Sequence, residues 1–290
     1  MKLINQSKRG LQIASSSFSF LWHHPQLLLY AIVPILIQVT FELILYNMLV
    51  GSQNKIPLTF AEFDSLALFI ARIPNWLHYG GLLAIIFVSF FIMLFFNAAL
   101  INHTMHILQY KKSSIAQSIQ AAMQKFFILF CWALISLIPL VMLQATQSSV
   151  TSSTPWLPSL FIIVASITFS GAWSLITLFV MPVITLEPRH IGSALVKSFS
   201  ILKHYFIQTI SGELFLGFLT IFAFSMTLFL GSAYSLLAAS YTSMALAGVT
   251  FLSILIRCIL TTAHTIFKTI IYDEYTSPER EFTFSHFLRF

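Results

Sequence analysis

The sequence predicts an all-α, polytopic membrane bundle of six transmembrane helices, with three amphipathic helices lying at the cytoplasmic interface. Three observations predict it. Of the 290 residues, 58% are hydrophobic and only 8% charged, against roughly a quarter charged in soluble domains, and the mean hydropathy is +0.87. Six apolar runs each approach or exceed the roughly 20 residues that a helix needs to cross the hydrocarbon. Lysine and arginine gather on one side of those runs. So few charges cannot cover a water-facing surface of this size, and lipid must solvate much of it.

The chain is a single membrane domain over 1–290. Its opening carries Lys2, Lys8 and Arg9, but the following stretch is interrupted by Ser15, Ser16, Ser17 and Ser19 and no small-residue cleavage site follows. It therefore reads as retained sequence, not a cleaved signal. Residues 10–24 form the first interfacial helix, with Leu11, Ala14, Phe18, Leu21 and Trp22 on one face at i, i+3, i+4 spacing. The first span, 27–50, is far longer than a strand, and no period-two polar alternation suggests a barrel. The connection 51–78 is the longest. In it Thr59 and Glu62 fit a capping box, opening a short outer surface helix over 60–72 anchored by Trp76 and Tyr79.

Span two covers 79–107. A second interfacial helix, 114–127, follows with Ile115, Ile119, Ala122, Met123 and Phe126 on one face, then span three, 126–143. A Ser/Thr-rich turn, 144–156, leads to span four, 157–186. The third interfacial helix, 191–206, aligns Ile191, Leu195, Phe199, Leu202 and Phe206. Span five, 206–230, a second Ser/Thr-rich turn and span six, 243–272, complete the bundle. Pro34, Pro139 and Pro182 fall inside spans and should kink them. The tail, 273–290, mixes Glu279, Arg280 and Glu281 with Phe282, Phe284, Phe287 and Phe290, a pattern suited to the inner leaflet, a docking partner or a solvated end alike.

Each outgoing span thus follows an amphipathic segment. The first and third segments also match in letters: Ser17-Phe18-Ser19-Phe20-Leu21-Trp22-His23 beside Ser198-Phe199-Ser200-Ile201-Leu202-Lys203-His204. The expected unit is an interfacial helix plus a helical hairpin, repeated three times.

Direction follows from the cations. Lys2, Lys8, Arg9, Lys111, Lys112, Lys125, Arg189, Lys197, Lys203, Lys268, Arg280 and Arg289 fall on one side, Lys55 and Arg72 on the other. The positive-inside rule places both termini in the cytoplasm. The net charge of +6 is therefore topological, and nucleic acid is not an expected partner. Lys111, Lys112, Lys125, Lys197 and Lys203 would draw anionic lipid headgroups to the inner surface, at about 1 kcal/mol each.

Three ionisable residues lie inside spans: Glu42, Glu213 and Arg257. Each costs roughly 2.5–3.5 kcal/mol on insertion scales. At 1.5 Å per residue, Glu213 sits about 10 Å and Arg257 about 16 Å from the inner edge. A Glu213–Arg257 ion pair is expected, with Glu42 a second partner for Arg257 or neutral. The set reads either as a path for an ion, proton or lipid headgroup, or as a structural pair. His103 and His106, with His264, Asn97 and Asn102, are positioned to converge at the inner end. They carry no HExxH or second HxxH pattern, so no metal is expected. Cys131 and Cys258 read as small apolar residues, not a disulfide. Asn5-Gln6-Ser7 and Asn102-His103-Thr104 match the glycosylation pattern by chance, being cytoplasmic and embedded. No catalytic constellation or cofactor loop is present.

Four motifs occur in order: Phe95-Phe96-Asn97-Ala98-Ala99-Leu100; Phe179-Val180-Met181-Pro182-Val183-Ile184 running to Glu187; Ser193-Ala194-Leu195-Val196-Lys197-Ser198; and Ile271-Tyr272-Asp273-Glu274-Tyr275. On them the chain resembles a family of uncharacterised prokaryotic integral membrane proteins, a domain of unknown function, over nearly its whole length. The amphipathic segments also look like the membrane domains attached to some glycerophosphodiester phosphodiesterases, though no phosphodiesterase domain is present. The resemblance implies a six-helix fold in the cell (inner) membrane and no activity. The chain departs from the family in His103, His106 and a longer aromatic tail.

The expected role is a non-enzymatic membrane or lipid-interacting scaffold. The alternative is a transporter or channel for a small solute or ion using Glu42, Glu213 and Arg257. An intramembrane enzyme would need a nucleophile or paired carboxylates beside a base, and only Glu213 and His204 lie near enough in sequence to be considered.

Overall fold

The computed structural model describes residues 2–50, 76–109, 114–148, 156–188, 190–237 and 242–277, and every element among them is helical. Helix α1 is Lys2–His23, followed by a 3₁₀ turn, Pro25–Leu28, and α2, Leu29–Val50. Helix α3 is Trp76–Leu108, α4 Ile115–Gln124 and α5 Phe126–Ser148. Helix α6, Trp156–Thr177, is continued by α7, Val180–Leu186. Helices α8, Ile191–His204, α9, Phe206–Leu237, and α10, Thr242–Thr276, complete the chain. The expected surface helix at 60–72, its Thr59/Glu62 box, Lys111, Lys112, Arg189 and tail residues 278–290 lie outside the described residues, as do parts of both Ser/Thr-rich turns.

Four stretches are long and apolar enough to cross a membrane: Ala84–Leu108, Leu160–Leu186, Phe206–Thr227 and Phe251–Thr276. Two bent pairs, α1 with α2 and α4 with α5, raise the number to as many as six. Their corners have local causes. The chain turns by 100° between α1 and α2, where Pro25 follows His24. The proline ring disfavours helical geometry at the preceding residue, and His24 adopts φ −127°, ψ 63°. Before the 70° corner at Lys125, α4 is opened by a reciprocal capping box: Ser114 Oγ accepts the Gln117 N–H at 3.2 Å, and Gln117 Oε1 accepts the Ser114 N–H at 3.1 Å.

Pro182 acts as expected of a span proline. Its ring excludes the carbonyl four residues back, and that residue, Leu178, lies in the break between α6 and α7. Ser198 of α8 closes the gap: its Oγ donates to the Ile176 carbonyl at 2.6 Å and accepts the Phe179 N–H at 3.1 Å. Pro34 and Pro139 stay within α2 and α5.

The short helices α4 and α8, with α1, sit at one end of the bundle, the collar end. Their inward faces take in only part of the apolar stripes read from the sequence. The buried side of α1 carries Gly10, Ile13, Ala14, Ser17, Phe20 and Leu21, while Leu11 and Trp22 are exposed. In α4, Ser118 and Ala122 are buried and Met123 is exposed; in α8, Ala194, Ser198, Ile201 and Leu202 are buried and Phe199 is exposed. Phe126 and Phe206, the first residues of the helices that follow, are exposed as well. Each helix lies between the bundle and its surroundings. Small residues let its backbone approach its neighbours; some large apolar side chains, such as Ile13, Phe20 and Ile201, pack inward and others, such as Trp22, Met123 and Phe199, turn outward.

Ser17, Ser118 and Ser198 each stand seven residues before their corner, at His24, Lys125 and Tyr205, and are 0%, 1% and 0% exposed. Leu21, Ala122 and Leu202, four residues later, are likewise buried. Helix α1 crosses α9, and α9 packs on α10, at glycines. A Cβ on Gly10 would stand 2.2 Å from the Gln208 carbonyl oxygen, and one on Gly212 would stand 2.3 Å from the Phe267 ring. Packing is tight at this end, around Ile13, Leu27, Phe179, Ile201 and Phe267. It loosens away from it, where Ile221, Phe224, Phe251 and Leu255 are exposed.

Candidate functional site

Three of the four sequence motifs meet at the collar end. Glu187, just past α7, accepts from Lys197 of α8 and from the Tyr272 hydroxyl of α10 through its carboxylate. Its carbonyl accepts from Lys125 Nζ at 3.0 Å. The Lys197 ammonium also lies over the rings of Tyr272 and Tyr275, 5.7 and 6.0 Å from their centroids, a geometry that attracts a cation. Glu187 thereby ties α4, α7, α8 and α10 together. The first motif joins the same frame higher up: Asn97 Oδ1 of α3 accepts from Thr265 of α10 at 2.8 Å.

Beside this hub, Arg9 of α1 donates to the buried Glu274 of α10 at 2.9 Å. Tyr205, at the corner before α9, donates to the Glu274 carbonyl at 3.4 Å. Burial, with the Glu274 carboxylate nearby, pushes the Tyr205 phenol above its usual pKa and keeps it a donor.

His103 of α3 organises a second cluster. Its Nδ1 lies 3.1 Å from the Tyr30 hydroxyl and 3.0 Å from Ser118 Oγ, and its Nε2 is 3.3 Å from Gln26 Nε2. With Gln26 donating to Nε2, the proton sits on Nδ1, a tautomer assigned from the network. The cluster fastens α3 to α2 and α4. His264 is engaged elsewhere, so His103 and His264 do not converge. Among the described residues no three His, Cys, Asp or Glu side chains gather where they could hold one metal ion. Cys131 and Cys258 are unbridged, the first half-buried and the second buried.

The expected Glu213–Arg257 pair is not formed. Glu213 of α9 meets His264 at 3.3 Å and Lys268 at 3.8 Å, both on α10. The reason is register: Glu213 lies two turns into α9 and faces His264 and Lys268 toward the collar end of α10, while Arg257 is about 11 Å further along the helix than His264 at 1.5 Å per residue. Arg257 is exposed and lines two grooves, one against α2 and α3 and one against α9. Glu42 lies in α2, but its side chain is outside the described residues. Of the five expected headgroup lysines, Lys125 and Lys197 are committed to Glu187, Lys203 is exposed, and Lys111 and Lys112 are not described.

Sequence reasoning singled out Lys197 as a headgroup lysine but did not foresee Glu187 or Tyr272 as partners. The signal was present in their membership of the ordered motifs. By class this is a helical protein with four to six helices fit to cross a membrane. The chain belongs to a family of unknown function, DUF6159, which it matches over residues 78–281. No curated protein and no solved structure matches it.

Proposed function

We propose that the protein is a non-enzymatic, lipid-interacting scaffold of the cell (inner) membrane, with six spans, three interfacial helices built as repeats, and both termini cytoplasmic. The observation that carries this reading is the outward face of the collar. Trp22, Met123 and Phe199 are 86%, 56% and 54% exposed on three separate helices, with Lys125 beside Met123 and Lys197 and Lys203 beside Phe199 in sequence. Large apolar side chains with flanking cations at a membrane surface fit the boundary between acyl chains and anionic headgroups. The buried serine shared by α1, α4 and α8 supports the threefold repeat. The distant likeness to membrane domains of glycerophosphodiester phosphodiesterases supports the shape alone.

The test is neutralisation of the exposed Lys203 together with Lys111 and Lys112, which lie outside the described residues. Lys111→Gln, Lys112→Gln and Lys203→Gln together should lower enrichment of phosphatidylglycerol around the reconstituted protein, by up to about 3 kcal/mol. Unchanged enrichment in a folded triple variant sinks the scaffold reading.

The transporter reading, through Glu42, Glu213 and Arg257, draws on one observation: Arg257, Thr261, His264 and Lys268 occupy one face of α10 at i, i+4, i+7 and i+11. Solute uptake by vesicles that is lost in Glu213→Gln while the fold persists would favour it over the scaffold.

A further inference from the structure

We propose that Arg257 anchors an intramembrane site for an anionic lipid, with the headgroup on the guanidinium and an acyl chain in the groove between α9 and α10. The site is independent of the collar: it rests on membrane embedding and on residues of the bundle wall.

A guanidinium inside a span needs a counter-charge, since it otherwise costs roughly 2.5–3.5 kcal/mol even on insertion scales. Among the described residues Arg257 has no ion pair or hydrogen bond, and the nearby acid, Glu213, is held by His264 and Lys268. The charge instead borders a groove of about 390 Å³ against α9 and another of about 250 Å³ against α2 and α3. The larger falls within the ~300–1,000 Å³ range of ligand pockets.

The walls say where the occupant comes from. The larger groove is lined by Ile221, Phe224, Ile256 and Leu260, and Ile221 and Phe224 are exposed. It therefore opens sideways onto what would be acyl chains. An inorganic anion has no apolar part to fill it; a lipid does. A guanidinium binds phosphate or carboxylate through paired N–H donors. Depth is the objection, since Arg257 is about 16 Å from Lys268 along the helix. The polar face of α10 answers it: Thr261 and His264 line the same groove and lead from Lys268 toward Arg257.

The experiment is native mass spectrometry of the full chain, purified in detergent and offered dioleoylphosphatidylglycerol and dioleoylphosphatidylcholine in equal amounts. Wild type and Arg257→Lys should retain phosphatidylglycerol about tenfold more tightly than phosphatidylcholine, and Arg257→Gln should retain the two within about twofold. Ala223→Phe, which fills the groove and leaves the charge in place, should also lose the preference at unchanged thermal stability. Equal preference in wild type and Arg257→Gln overturns the proposal. Displacement of phosphatidylglycerol by excess inorganic phosphate overturns the lipid source. A preference that is absent from wild type and appears only in Glu42→Gln shows an internal counter-ion and overturns the proposal as well. The Lys111/Lys112/Lys203 triple variant should keep the Arg257-dependent preference, which separates failure of this site from failure of the collar.

Discussion

Gly10→Ala should loosen the whole collar end. The added methyl would lie 2.2 Å from the Gln208 carbonyl oxygen, 2.2 Å from Ser211 Oγ and 2.9 Å from the Gln208 carbonyl carbon, where ordinary contact begins at 3.4 Å. Ser211 can rotate; the Gln208 backbone cannot. Helix α1 must therefore retreat from α9 by about 1 Å, a gap that forfeits a quarter to a half of each contact's dispersion energy. The contacts at stake include Ile13, Ala14 and Ser17, all fully buried. Overpacking of this kind costs about 1–3 kcal/mol, and the better helix propensity of alanine returns up to about 1 kcal/mol. A net loss near 1 kcal/mol should lower the thermal midpoint in detergent by about 2–4 °C. Gly217→Ala is the control. It lies on α9 with nothing within 4 Å of its would-be Cβ, so it gains propensity without a clash and should be neutral or stabilising. Equal midpoints for the two variants would refute the close crossing of α1 and α9.

Two further outcomes follow from the polar contacts. Ser198→Ala strands the Phe179 N–H and the Ile176 carbonyl at the α6–α7 break and should cost about 1–3 kcal/mol, whereas Ser17→Ala removes only a bond to the Ile13 carbonyl of its own helix and should cost less. Comparable losses in thermal melts would mean that the break does not depend on Ser198. In double-mutant cycles, Glu213→Gln should couple to Lys268→Met by about 0.5–1 kcal/mol or more and should be additive with Arg257→Gln within about 0.5 kcal/mol; the reverse order of couplings would restore the pair expected from sequence.

The starts of the long helices were legible to within a few residues because their signals are local. Pro25 bars helix at His24, and a sustained apolar run begins at Phe126 and again at Phe206. Periodicity also located α1, α4 and α8. What it could not supply was which side of each helix faces in. Of the apolar stripes, Ala14, Leu21, Ala122 and Leu202 are buried, while Leu11, Trp22, Met123, Phe126, Phe199 and Phe206 are exposed. The contact face mixes small residues, Gly10, Ser17, Ser118 and Ser198 among them, with large ones such as Ile13, Phe20 and Ile201, so neither hydrophobicity nor size alone marks it. The same loss of contrast hid the ionic partners: depth counted along isolated helices put Glu213 and Arg257 within reach, while the packed register hands Glu213 to His264 and Lys268.

A serine at a fixed distance from each corner carries more information than the apolar stripe around it. Inside a membrane bundle a hydroxyl must be satisfied, and each of the three finds a different polar partner. Ser17 bonds back to Ile13 of its own helix, Ser118 meets His103 of α3, and Ser198 bridges the α6–α7 break. The shared requirement is small volume at the tightest point of the crossing, which serine meets while bonding to whatever polar group its repeat presents. For α4 and α8 the partner belongs to the helix just before, α3 for α4 and α6–α7 for α8. Helix α1 packs instead against α9 and α10, with Arg9 on Glu274, so the Arg9–Glu274 bond joins the first described helix to the last.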